Sequence, residues 1–73
     1  MPRLPVCKHV TVIRVLQRAG FFLDRSSGSH RFFSSSRPGI VTVPFHRKDL
    51  KRGTLKSIIE QAGLSVEEFM QLL

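Results

Sequence analysis

Gly28-Ser29-His30-Arg31-Phe32-Phe33 is the stretch around which the rest of the chain is arranged. A glycine turn leads to a histidine at the opening of a strand, and two aromatic residues follow at once. Ser26, Ser27 and Gly28 have turn chemistry. Phe21 to Arg25 reads as a strand before that turn and Ser29 to Ser34 as a strand after it, so the two form a hairpin. Ser35, Ser36, Arg37, Pro38 and Gly39 make the next loop. Ile40 to Val43 then reads as a third strand, ended by Pro44. A three-stranded antiparallel meander is the economical topology.

Upstream, Met1 to Lys8 is an irregular lead-in punctuated by Pro2 and Pro5. From about His9 to Ala19, Val12, Leu16 and Ala19 fall on one stripe with Ile13 beside it, while Arg14, Gln17 and Arg18 face away. The β-branched residues Val10, Thr11, Val12, Ile13 and Val15 make a strand a competitor. Gly20 decides for a helix, because a glycine just past a periodic run, with Arg18 in the last turn, is a helix stop. Downstream, Phe45 to Gly53 reads as a loop carrying His46, Arg47, Lys48, Lys51 and Arg52. Thr54 is the expected cap of a helix that runs through about Ala62, with Leu55, Ile58, Ile59 and Ala62 on its buried stripe and Gly63 as its stop. Ser65-Val66-Glu67-Glu68 is a capping box for a short last helix that carries Val66, Phe69, Met70 and Leu73.

The order is helix, three strands, helix, short helix. An α+β domain follows, spanning residues 1–73, with helices on one face of an antiparallel sheet. This order is also that of the double-stranded-RNA-binding fold, which reads RNA by shape and backbone and places phosphate contacts at a helix N-terminus. The basic loop before Thr54 stands where such a contact belongs.

Charge points the same way. Twelve Lys and Arg against five Asp and Glu give a net charge of +7. All twelve cations lie between Arg3 and Lys56, and Glu60, Glu67 and Glu68 follow them, so a basic body carries a slightly acidic tail. That excess exceeds what solubility requires in a small domain and suggests a polyanionic partner. The cations sit on no single long amphipathic helix, which favours nucleic acid over a membrane surface. Cys7 is the only cysteine, so no internal disulfide forms, and this suits a reducing compartment. There is neither an apolar run of about 20 residues nor the apolar core of a signal peptide, and a cytoplasmic protein is the expectation.

For metal chemistry the inventory is poor: three histidines, one cysteine and five scattered acids, with no His-x-x-x-His pair. No metal and no cofactor is expected. Ser29 and His30 are strand neighbours pointing to opposite faces, which disfavours a Ser–His nucleophilic pair. A histidine without metal still suffices to cut RNA, because the substrate supplies the 2′-hydroxyl as nucleophile. The enzyme must take that proton, place positive charge on the phosphate and protonate the leaving 5′-oxygen. An imidazole with an unperturbed pKa near 6.5 serves as base or acid near neutrality. One histidine does not fill both roles in one step, so a second group or a water shares the work. From spacing alone, His30 reads as an inert, half-buried strand histidine, and Phe32 and Phe33 as core and sheet surface rather than stacking platforms. Arg47, Lys48, Lys51 and Arg52, four cations in six positions, read as phosphate binders.

A family resemblance changes the weight on His30. Val15-Leu16-Gln17-Arg18-Ala19-Gly20-Phe21, Gly28-Ser29-His30, Val41-Thr42-Val43-Pro44-Phe45-His46 and Gly53-Thr54-Leu55-Lys56-Ser57-Ile58-Ile59-Glu60-Gln61-Ala62-Gly63 resemble, in order and spacing, the HicA family of toxins, and the tail Leu64 to Phe69 also fits. These are messenger-RNA interferases of type II toxin–antitoxin systems. The G-S-H tripeptide is weak by itself; with P-x-H and the G-T-L-x-S-I helix start it is specific. Lys8 and His9 depart from the Ser or Thr with Gly that often opens the family's first helix. The resemblance implies a double-stranded-RNA-binding-like fold, mRNA cleavage, His30 as the catalytic histidine, and a HicB antitoxin that covers that surface. On this reading Gly28 and Ser29 shape the turn that presents His30. His46 is the candidate second proton-transfer group, with a purely structural role as the alternative. Arg47, Lys48, Lys51, Arg52 and Lys56 hold the RNA backbone. The alternatives are a non-catalytic RNA-binding module of the same fold, and a toxin that reaches operator DNA only indirectly, through its antitoxin.

Overall fold

The computed structural model describes residues 4–45 and 48–73. The elements are α1 (His9–Arg18), β1 (Phe22–Ser27), β2 (His30–Ser34), β3 (Val41–Pro44), α2 (Arg52–Gln61) and α3 (Val66–Gln71). The three strands form one antiparallel sheet in the order β1-β2-β3. The architecture is therefore α+β, with the element order of the double-stranded-RNA-binding fold and a short helix added after it.

α1 is a helix because its buried residues are Val12, Val15 and Leu16, a helical and not an alternating spacing. Burial against the sheet overrides the β-branched propensity of the segment. Its N-cap, Lys8, makes no side-chain cap bond. Its C-terminus is closed by a Schellman arrangement: Phe21 N–H donates to the Leu16 carbonyl and Gly20 N–H to that of Gln17, with Gly20 at φ 96°. The same pair of bonds, from Leu64 to Ile59 and from Gly63 to Glu60, ends α2.

The core lies between the helices and one face of the sheet. Phe33, Val41 and Val43 supply the sheet side; Val12, Val15, Leu16, Leu55, Ile58, Ile59 and Phe69 supply the helical side. Cys7 and Leu50 seal one end, joined by the Leu50 N–H bond to the Cys7 carbonyl. Burial, with Asp49 adding to it, pushes the Cys7 thiol up. β3 lies at a sheet edge, and part of that edge is blocked: the outward N–H of Thr42 donates to Gln61 Oε1, and Gln61 Nε2 donates to the Ser57 hydroxyl. β1, the other edge, is exposed along its whole length.

Three boundaries differ from expectation. The hairpin turn is the two-residue Gly28-Ser29, not Ser26-Ser27-Gly28, because β1 runs on to Ser27, which pairs with His30. Gly28 has φ 58° and Ser29 is not left-handed, the pattern of a type II′ turn, whose twist matches that of the flanking strands. β3 is shifted by one, so Ile40 is exposed and Pro44 pairs with His30. α2 starts at Arg52, with Lys51 as its N-cap, so Thr54 is its third residue and not its cap. The reason is Leu50: its burial brings the chain to the core early, and the first turn closes at once through Leu55 N–H to the Lys51 carbonyl.

The last helix begins as expected. Glu68 N–H donates to the Ser65 hydroxyl at 3.0 Å, and Ser65 N–H donates to Glu68 Oε1 at 2.9 Å. The Ser65 backbone N–H first, then its hydroxyl, and to a smaller extent Arg37, hold the Glu68 carboxyl below its ordinary range. A carboxyl depressed on folding stabilises above its unfolded pKa of about 4.3, and that contribution fades as pH falls through the folded value. Glu68→Gln keeps the capping geometry without the charge. The thermal midpoint of the wild type is expected to exceed that of Glu68→Gln at pH 7, and the gap to close as pH drops below the carboxylate range. A gap independent of pH would show that the charge plays no part.

Candidate active site

The β1–β2 hairpin sets the site. One face of β2 turns to the core through Arg31 and Phe33; His30, Phe32 and Ser34 face the other way, with Thr42 and Pro44 beside them on β3. The helices cover the first face and leave the second open. His30 is exposed at the first position of β2, directly after the turn. Ser29 belongs to the turn itself and not to the strand. The site end of the sheet is tied together twice: His30 pairs with Pro44, and Phe45 N–H donates to the Ser29 carbonyl. The basic segment therefore leaves the sheet immediately beside His30.

Of the expected cations, Lys48, Lys51, Arg52 and Lys56 are all exposed. Lys51 caps α2, Arg52 is its first residue, and Lys56 stands four residues on, over the same helix face as Arg52. No acidic residue stands in the first turn of α2, and among the described residues no side chain caps it. The positive end of the helix dipole thus meets two cations, an arrangement that costs stability unless an anion is bound there. His46 and Arg47 lie outside the described residues.

A second set of contacts was not legible beforehand. On the core side of the sheet, the Arg31 guanidinium carbon lies 3.8 Å from the centroid of the Phe45 ring, and the His9 ring meets that ring edge-on at 4.2 Å. This stack joins the start of β2, the exit of β3 and the start of α1, and so fixes the backbone that carries His30. Arg25 lies over the Phe32 ring on the open face, 5.3 Å from its centroid. The aromatic pair Phe32-Phe33 had marked the strand, but only the register says which ring faces inward: Phe33 is buried and Phe32 is not. Among the described residues, no three His, Cys, Asp or Glu side chains gather in a way that could hold a metal ion. No described helix is long and apolar enough to cross a membrane.

The fold and the open, histidine-bearing sheet face define a small cationic α+β protein with the layout of double-stranded-RNA-binding folds. A family model described as HicA toxin of bacterial toxin-antitoxin matches residues 11–64, and the chain belongs to that family. It is thereby a toxin of a toxin–antitoxin pair, and membership implies a cognate antitoxin. The match takes in the Gly28-Ser29-His30 turn and all of α2 but stops before α3. No curated protein matches the chain significantly.

Proposed function

We propose that the protein is a metal-independent mRNA endoribonuclease, with His30 as its catalytic residue and a HicB-type antitoxin as its neutralising partner. One observation carries the reading: His30 is exposed on the open sheet face, directly opposite Pro44, from which the cationic segment toward α2 departs. A substrate phosphate held by Arg47, Lys48, Lys51, Arg52 and Lys56, and by the amides that begin α2, brings its ribose to the exposed His30.

His30 then takes the 2′-hydroxyl proton or donates to the leaving 5′-oxygen. His46 or a water supplies the complementary transfer. Gly28 supports the reading through its positive φ, which lets a two-residue turn deliver an exposed His30 at the first position of β2. The antitoxin neutralises by covering His30 and the cations, for which an acidic or apolar surface is complementary.

The test is the chemistry of the cut ends. Purified protein incubated with mRNA in chelator is expected to leave a 2′,3′-cyclic phosphate or 3′-phosphate and a 5′-hydroxyl. Recovery of 5′-phosphate ends would mean that water attacks, and the 2′-hydroxyl route would fall. Bound but uncut RNA would favour a non-catalytic RNA-binding module.

A further inference from the structure

We propose that Phe32 and Arg25 form a nucleobase-stacking site on the open face of the sheet, one step along β2 from His30, that takes a single unpaired base of the RNA. The inference rests on the reading of the protein as an RNA-cutting toxin and adds to it what holds the nucleotide next to the scissile phosphate.

Four observations converge on this site. Phe32 lies two residues from His30 on the same strand and the same face, about 6–7 Å along it. The ring is not part of the core, which takes its neighbour Phe33 instead. Arg25 stands across from Phe32 because the two-residue turn sets the register: Ser27 pairs with His30, Ser26 with Arg31 and Arg25 with Phe32. Beyond Arg25 the strand bulges: Leu23 pairs with Phe33, and Asp24 is the extra residue between them, so the cation and not the carboxylate faces Phe32. Finally, the Arg25 guanidinium, a planar cation, lies over the Phe32 ring, 5.3 Å from its centroid, so a base that enters beside the ring meets both groups.

The chemistry that fits is a base splayed from single-stranded RNA. Aromatic rings and guanidinium planes on a sheet face are the usual partners of such bases, and the net charge of +7 draws the backbone. A base paired within a duplex keeps its face covered and is not available to Phe32. An antitoxin side chain is the competing occupant, and the test below separates the two.

The test is binding, measured by fluorescence anisotropy on the full chain with an end-labelled, 2′-O-methylated single strand of mixed sequence, which lacks the nucleophile and stays uncut. Phe32→Leu keeps apolar bulk without the ring and is expected to weaken binding roughly five- to 150-fold, the value of one stacked base. Phe32→Trp is expected to retain affinity. The salt dependence of binding should be unchanged in Phe32→Leu, because stacking releases no counterions. An abasic nucleotide at one position of the strand should remove the difference between wild type and Phe32→Leu, a comparison that also works with the wild type alone if a variant misfolds. Equal affinity of wild type and Phe32→Leu, or indifference of the wild type to an abasic nucleotide at every position, overturns the site and leaves Phe32 to a protein partner. Cleavage is read separately from the cut ends. Ring-dependent binding without cutting therefore sinks the nuclease and keeps the site, whereas cutting with ring-independent binding sinks only the site.

Discussion

His30→Ala is expected to lower RNA cleavage at least a hundredfold, and up to about ten-thousandfold, while leaving the protein folded. The size follows from the role. A positioned acid or base contributes that range, and no other described side chain on the open face of β2 and β3 is an acid or a base: its neighbours there are Phe32, Ser34, Thr42 and Pro44. Survival of the fold follows from exposure. His30 stands at the hairpin end and contributes nothing to the cluster built on Phe33, Val41 and Val43. His30→Gln separates the proton transfer from hydrogen bonding, since the amide retains a donor and an acceptor but does not titrate. It should be as inactive as His30→Ala. The measurement is a single-turnover rate on one mRNA in chelator, with circular dichroism and RNA affinity recorded on the same preparations. Unchanged binding with lost cutting assigns the chemical step to His30. A His30→Ala rate within a few-fold of wild type would remove it from the mechanism and point to another residue or to a contaminating nuclease.

How far such a site can be read from sequence depends on which interactions decide each element. α1 was legible against its own propensities because apolar period and a stop glycine outweigh β-branching once one face is buried, as Val12, Val15 and Leu16 are. α3 was legible because a capping box is local chemistry, complete within Ser65 to Glu68. The start of α2 was not: Thr54 has the stronger capping side chain, but the position is decided by Leu50, whose burial against Cys7 is a contact between distant parts of the chain. The hairpin shows the same division. Gly28 marks the turn, whereas its length and the bulge at Asp24 arise from pairing between β1 and β2. His30 is therefore a candidate on the tripeptide and the family resemblance alone. Arg25 and Arg31 are not, because their partners Phe32 and Phe45 are assigned only by register and by the packing of α1 under the sheet.

Phe33→Ala, one residue beyond Phe32, is expected to have the opposite signature: loss of the fold and not of a ligand. Phe33 is 1% exposed and lies on the central strand, on the face that meets both α1 and α2 through Val41 and Val43. Truncating a buried phenylalanine costs about 3–5 kcal/mol, the lost transfer energy plus the cavity left behind. A chain of 73 residues has about 4–11 kcal/mol in total at the usual density of stability per residue. At this size each kcal/mol moves the thermal midpoint by about 4–8 °C, so Phe33→Ala should melt tens of degrees lower or be unfolded at growth temperature. Phe33→Leu, which keeps most of the volume, should recover much of the loss. Thermal unfolding followed by circular dichroism gives the comparison directly. Because β2 alternates, the two adjacent phenylalanines divide the work by face. Phe33→Ala should abolish toxicity by removing the folded state, whereas Phe32→Leu should lower it by weakening RNA binding in a protein that melts near the wild-type temperature. If Phe33→Ala melted with the wild type while Phe32→Leu did not, the register of β2 would be wrong by one residue, and every assignment to the open face, His30 included, would move to the core side with it.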